Sequence, residues 1–289
     1  MLRILLTGSD SPLGLVLHEF LLQVGRHEVI PLTRATCRWK SERQAKKAVQ
    51  RAKVDAMVDL RVLTALDSAE EITDLEVDRC DWLAKACQRN GVAYLHLSSS
   101  RLFSGRLDRL YSEDDYPDSD DKVGRALLRA EEAVRDRCER HLILRLGPVF
   151  SHHSGNWLPG MMARLGSEEK LSLDNNLRGN PVAADDAARV ISGLLDQLSA
   201  GAEPWGIYHY CSSDNTNAFE LAEALLAAAS QFAEFDATRV ELDEMPEAHL
   251  PANRALDCRK IRNTFAIKQV PWRDFVTDTV KLYFQAQHQ

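Results

Sequence analysis

Short apolar runs that alternate with longer amphipathic stretches constrain this 289-residue chain more than any other feature. RILLTG (3–8), HEVIPLTR (27–34), VDAMVDL (54–60), VAYLHLS (92–98) and HLILRLG (141–147) read as strands. Residues 12–25, 41–52 and 69–91 read as helices, as does the stretch that opens at Ser119, where Val123, Leu127, Ala130 and Val134 mark one apolar face. Ser119 is its expected N-cap, with Asp120 and Asp121 in the first turn. GIYHYCSS (206–213) followed by NAFELAEALLAAASQ (217–231) repeats the strand–helix theme. Alternation of this kind predicts an α/β fold, a Rossmann-type doubly wound parallel sheet joined by right-handed crossovers. The larger domain is expected over 1–150 plus about 182–234. A smaller C-terminal lobe is expected over 151–181 plus 235–289.

Composition narrows the function classes. At 45% hydrophobic the chain can bury a large core. Its 36 basic and 43 acidic residues give a net charge of −7 with no long basic run, which argues against nucleic acid as a partner. The six cysteines form no CxxC pair, so buried thiols in a reducing cytoplasm are expected and a metal site is not. The apolar part of MLRILLTGSD is short for a signal peptide, and no apolar run reaches the ~18 residues of a membrane span. These features predict a soluble cytoplasmic protein without a membrane partner.

In sheets of this class ligands bind beyond the C-terminal strand ends, where the strand order reverses. LLTGSDSPLG lies at the first such end, with Gly8 and Gly14 six residues apart. A turn of this type brings backbone N–H groups to a dinucleotide pyrophosphate, so Gly8, Ser11, Pro12, Leu13 and Gly14 are the expected cofactor contacts. Ser11 stands where a middle glycine would, and Pro12 carries no N–H, so one phosphate donor is missing. After the second strand, LTRATCRWK has no acid to hold a ribose hydroxyl pair. Arg34 is expected to grip a 2′-phosphate, which favours NADP(H) over NAD(H), while Arg38 and Lys40 read as solvated charge. Leu60, Arg61 and Ser98, at the ends of the third and fourth strands, complete the expected cofactor contacts.

Taken in order, these pieces resemble the extended short-chain dehydrogenase/reductases. The resemblance is closest to the dTDP-4-dehydrorhamnose reductase family, which includes a regulatory subunit of methionine adenosyltransferase. It runs nearly end to end through LLTGSDSPLG, VAYLHLSSSRLFSG, YSEDDYP, LRLGPVF, GNWL, LRGNPVAADDAARV and GIYHYCSS. It implies hydride transfer between a nicotinamide and a sugar carbonyl, with a Tyr as proton source and a Lys four residues on that lowers its pKa. Aligned from Glu113, with Gly124 and Glu131 in their family places, Val123 takes the Tyr position and Leu127 the Lys position. Ser99 keeps the hydroxyl of the third catalytic position. Ser100 and Arg101 replace the substrate-side Asp and Tyr, and Pro148 replaces a substrate-side Trp.

Substitute groups are few. Lys122 lies about 100° round a helix from Val123. Tyr111 and Tyr116 precede the helix, and Tyr116 is the one that could swing inward. His152 and His153 read as a solvated loop pair, and Glu113 and Asp115 as structural. The expected function is therefore an NADP(H)-binding, non-catalytic member of this group, acting as a ligand sensor, scaffold or regulatory subunit. One alternative is an NADP-dependent nucleotide-sugar reductase or epimerase with a relocated proton donor. Another is an interaction protein that binds no nucleotide. The expected partner is a dinucleotide or a small nucleotide-like ligand, with a protein partner or a homo-oligomer left open.

Overall fold

A computed structural model describes residues 1–67, 71–167, 169–173, 175–236, 238, 240–242 and 252–287. In chain order its strands are β1 (Arg3–Thr7), β2 (Glu28–Leu32), β3 (Ala56–Asp59), β4 (Ala93–Ser99), β5 (His141–Leu146), β6 (Val149–Phe150), β7 (Leu171–Leu173), β8 (Leu177–Gly179), β9 (Val182–Ala183), β10 (Gly206–Tyr210), β11 (Thr216–Asn217), β12 (Val240–Leu242) and β13 (Ala252–Asn253). The helices are α1 (Pro12–Val24), α2 (Glu42–Ala52), α3 (Arg61–Asp67), α4 (Asp74–Asn90), α5 (Lys122–Arg137), α6 (Trp157–Leu165), α7 (Ala184–Ser199), α8 (Ala218–Ala229), α9 (Arg259–Phe265) and α10 (Val276–Gln287).

Six strands form one sheet in the order β10-β5-β4-β3-β1-β2, and every pairing in it is parallel. Helices cover both faces, so β3 and β4 are buried along their whole length and read as continuous apolar runs. The chain steps from β1 outward to β2 and then crosses back to β3. The order therefore reverses between β1 and β3, and their C-terminal ends open side by side. This is the expected Rossmann-type α/β fold.

Two apolar cores are present. The larger lies on both faces of the six-stranded sheet. The smaller gathers Leu158 and Met162 of α6, Leu171 and Leu173 of β7, Leu225 and Ala229 of α8, and Val276 and Val280 of α10. The chain interleaves them more finely than the boundaries at 182–234 and 235–289 suggest. Helix α8 faces the smaller core, while Ile261 and Phe265 of α9 join the larger one.

Local differences from the sequence reading have local causes. The segment read as one helix over 69–91 has its start outside the described residues, and its helix α4 begins at Asp74. Thr73 caps it by accepting the Glu76 N–H. Helix α5 is capped by Asp121 rather than Ser119, because the Asp121 carboxylate accepts the Gly124 N–H at 2.6 Å. Ser119 instead presses on Gly124, where a Cβ would lie 2.4 Å from the Ser119 Cβ. No helix among the described residues is long and apolar enough to cross a membrane.

Candidate functional site

The site follows from the strand order. Gly8 leaves β1 with φ +77°, and a Cβ on it would lie 3.3 Å from the Leu60 Cβ and 3.5 Å from the Arg61 nitrogen at the end of β3. The N–H groups of Gly8 and Ser9 both donate to the Leu32 carbonyl, at 2.9 and 3.1 Å, which fastens the turn to the end of β2. Ser11 is the N-cap of α1. Its hydroxyl donates to the Gly8 carbonyl at 2.7 Å and accepts the Gly14 N–H at 3.0 Å. A Cβ at position 14 would lie 2.2 Å from the Gly8 carbonyl oxygen, so this glycine is required by the turn itself. Pro12 occupies the first helical position and Leu13 follows, both buried. The helix start thus keeps few free donors: Ser11 N–H goes to Gly8, Gly14 N–H to Ser11, and Pro12 has none.

Beside this turn a cavity of about 370 Å³ is lined by Asp10, Arg34, Arg38, Arg61, Glu76 and Arg79, among others. The Arg34 N–H donates to the Asp10 carboxylate at 2.7 Å, which sets the strand exit against the turn. Arg38, expected as solvated charge, lines this cavity. Lys40 is exposed and its N–H donates to Gln44 at 2.7 Å.

Arg61 turns inward. Its Nε and Nη2 fork onto the Asp59 carboxylate at 2.9 and 2.7 Å, and Nη1 donates to Glu76 at 2.9 Å. Asp59 also accepts from Thr7 and from the Tyr94 hydroxyl, each at 2.7 Å. Burial alone would raise the Asp59 pKa. The adjacent guanidinium and its hydrogen bonds override that and hold the carboxyl well below its usual range. Arg79 ties the same Glu76 to the Trp39 carbonyl. Asp59, Cys80 and His96 place three donor atoms within 4.8 Å of one another. A cation there would have to displace Arg61 from Asp59, and burial keeps Cys80 a thiol, its pKa pushed up to about 12. The donor set suits a guanidinium better than a metal.

At the end of β4, the Ser98 hydroxyl is fully buried without a hydrogen-bond partner in the described structure. The Ser99 hydroxyl accepts the Arg101 N–H at 3.3 Å and caps the short turn at Ser100–Leu102. Arg101 reaches the Asp121 carboxylate at 3.2 Å. Helix α5 presents Val123, partly buried, and Leu127, fully buried, to the larger core. One turn further, Glu131 holds Arg145 of β5 at 2.7 Å in a wholly buried pair. Arg145 also donates to His209 Nε2 at 3.3 Å, so the His209 proton lies on Nδ1 and goes to the Tyr111 carbonyl at 3.1 Å. Burial and Arg145 hold the His209 pKa down, to about 3.

The possible stand-ins lie elsewhere or are engaged. Tyr111 is buried, stacked 4.2 Å from Phe103, and its oxygen accepts the Gly105 N–H at 2.9 Å. Tyr116 is 74% exposed. Glu113 accepts the His209 N–H at 2.9 Å, and Asp115 pairs with Arg109 and caps Ser112. The His152 and His153 rings sit 4.0 Å apart beside Pro159 and the end of α10. Burial lowers both pKa values. Pro148 lines an apolar cavity of about 320 Å³ with Trp157, Met161, Leu177 and Leu221.

The sequence profile of the RmlD substrate binding domain matches residues 2–284. The chain belongs to this family. Among curated relatives, it is 26% identical over 288 residues to a dTDP-4-dehydrorhamnose reductase of Sinorhizobium fredii, covering 94% of this chain and 95% of that protein. It is 26% identical over 230 residues to the spore coat polysaccharide biosynthesis protein SpsK of Bacillus subtilis, covering 78% and 79%. The fold matches that of the Bacillus anthracis dTDP-4-dehydrorhamnose reductase in complex with NADP, with a TM-score of 0.81 at 18% identity over 98% and 99% of the two chains. It also matches the Bordetella bronchiseptica enzyme WbmH in complex with NAD+, with a TM-score of 0.75 at 17% identity over 99% of both chains.

Within this RmlD-type fold, the turn Gly8–Gly14 stands at the switch point, and the cavity beside it is lined by Asp10 and Arg34. Arg61 lines that cavity with its nitrogens already engaged, whereas Leu60 does not line it. Leu60 is fully buried and the Arg61 nitrogens serve Asp59, Glu76 and Cys80. Sequence reasoning missed Asp10, Glu76 and Arg79 at the cavity. The T-x-x-E pattern at Thr73–Glu76 is a capping signal that would have placed Glu76 in a first helical turn.

Proposed function

We propose that this chain holds NADP(H) at the switch point and has given up hydride transfer, serving as a ligand sensor, scaffold or regulatory subunit. The observation that carries this reading is the α5 face. By the resemblance Val123 and Leu127 stand at the Tyr and Lys positions, and Leu127 is built into the main core with no measurable exposure. Neither side chain can move a proton or hold a ribose by charge. Positioned acid catalysis supplies about 10²–10⁴-fold, so its loss removes most turnover. Ser99 retains its hydroxyl, which accepts the Arg101 N–H and keeps its own proton to donate. Arg34 at the cavity beside the turn supports NADP(H) over NAD(H). The test is titration of NADPH by its fluorescence alongside an assay with a 4-keto nucleotide sugar. Binding without turnover is expected. Robust turnover overturns the reading, and absence of binding points to an interaction protein that takes no nucleotide.

The relatives favour a second reading, an NADP-dependent nucleotide-sugar reductase, since several of them are dTDP-4-dehydrorhamnose reductases. That reading needs a proton donor from outside α5, and exposed Tyr116 is the residue free to move. Turnover that disappears in Tyr116→Phe would establish it.

A further inference from the structure

The sulfurs of Cys211 and Cys258 lie 3.7 Å apart. Cys211 directly follows β10, and Cys258 is the residue from which α9 starts. Both are free thiols, and both point at one acceptor, the Leu256 carbonyl, at 3.4 and 3.7 Å. The Gln269 amide donates to the Cys211 sulfur at 3.6 Å and fixes it from the other side. Cys258 is 4% exposed and forms part of the wall of a cavity of about 530 Å³, with Ser112, Gln269, Arg259 and Arg262. A disulfide needs an S–S distance of ~2.05 Å, so the two sulfurs must close a gap of about 1.7 Å.

We propose that Cys211 and Cys258 are a reversible disulfide site, oxidised by hydrogen peroxide. The Cys258 thiolate attacks a peroxide oxygen, the O–O bond breaks, and the leaving hydroxide takes up the thiol proton as water. The resulting sulfenic acid is attacked by the Cys211 sulfur. The S–S bond forms, the S–O bond breaks, and a second water leaves with the Cys211 proton. Two electrons pass from the two sulfurs to the peroxide. The contact with Cys211 and burial hold the Cys258 thiol well above its usual range. The new bond would close a loop across a sequence separation of 47 that carries α8 and β11 to β13. It would staple the excursion into the smaller lobe to the edge of the central sheet. This inference does not depend on the reading of the α5 site.

The experiment treats the native full-length protein with hydrogen peroxide, blocks remaining thiols with N-ethylmaleimide, and maps the peptides by mass spectrometry. A joined pair of Cys211 and Cys258 peptides is expected, lighter by about 2 Da than the two free-thiol peptides together and separated by dithiothreitol. The oxidised protein should melt at least about 5 °C higher. Cys211→Ser should abolish the linked peptide, and the wild-type map decides the matter if that variant folds poorly. A bond between Cys87 and Cys138, the other neighbouring thiols, or over-oxidation of Cys258 without linkage, would overturn the proposal.

Discussion

The Ser11 hydroxyl accepts the Gly14 N–H at 3.0 Å and so occupies a donor that an anion at the start of α1 would otherwise receive. With Pro12 next in line, the turn satisfies itself internally where a pyrophosphate-binding turn leaves donors open. The Ser11→Gly protein should bind NADPH several-fold more tightly, because the Gly14 N–H is released. A glycine cap costs α1 only a few tenths of a kcal/mol. Fluorescence titration paired with a thermal melt checks both halves. Weaker binding would show that the hydroxyl itself contacts the ligand.

Arg34 stands at the cavity beside this turn. Its replacement in Arg34→Ala should weaken NADPH binding by about tenfold, or 1.4 kcal/mol, and leave NADH binding nearly unchanged. Equal losses for the two cofactors would remove the argument for a 2′-phosphate contact.

Leu127→Lys places a lysine where the resemblance expects one, at a fully buried position. It should not restore catalysis. A lysine there must either stay uncharged or open the core, and the loss in stability should be at least the ~2–5 kcal/mol of deleting a buried leucine. Urea unfolding gives the number. A variant as stable as the parent would mean that the helix can rotate its Lys position into the cleft.

The Asp59–Arg61 pair predicts a pH profile with a definite sign. The folded Asp59 pKa lies below the unfolded value of 3.8, so its contribution is complete above that value and erodes as pH falls toward the folded pKa. Arg61→Met leaves the carboxylate buried without its main partner and should cost about 3–5 kcal/mol at neutral pH. Burial then raises the folded pKa. Relative stability should recover as the pH is lowered through that raised value, the reverse of the parent. Denaturant melts from pH 7 down to about pH 2 distinguish the two, and parallel profiles would contradict the assignment.

Much of this architecture is legible in the residues. The strand at VAYLHLS needs burial on both sides to make sense of seven successive buried positions, and that in turn requires a helix-covered parallel sheet. The turn at Gly8–Gly14 was equally legible, since only glycine tolerates the 2.2 Å approach at position 14. Other features depend on contacts that no spacing encodes. Arg61 sits two residues past Asp59 at a strand exit, and nothing in that interval says whether the side chain faces the cleft or folds back. Buried Asp59 and half-buried Glu76 draw it inward. Helix α8 carries an Ala- and Leu-rich face that would suit either core, and its choice of the smaller one is made by α6 and α10. The shift of the α5 cap from Ser119 to Asp121 is a competition among three consecutive capping residues, settled by the close fit of Ser119 against Gly124.

Strand β10 reaches the central sheet only after the chain has visited the other lobe. Arg145 of β5 and its neighbour His209 of β10 are separated by 64 positions. At a synthesis rate of about 5–20 residues per second, the open side of β5 waits roughly 3–13 s on the ribosome before its partner is made. During that interval a hydrogen-bonding edge and a charged pair meant for the interior face solvent, which makes the unfinished sheet a target for chaperones and for stray strands. A fragment ending near Phe150 would hold that exposure permanently, so the last strand of the sheet also sets when the nascent protein becomes safe to release.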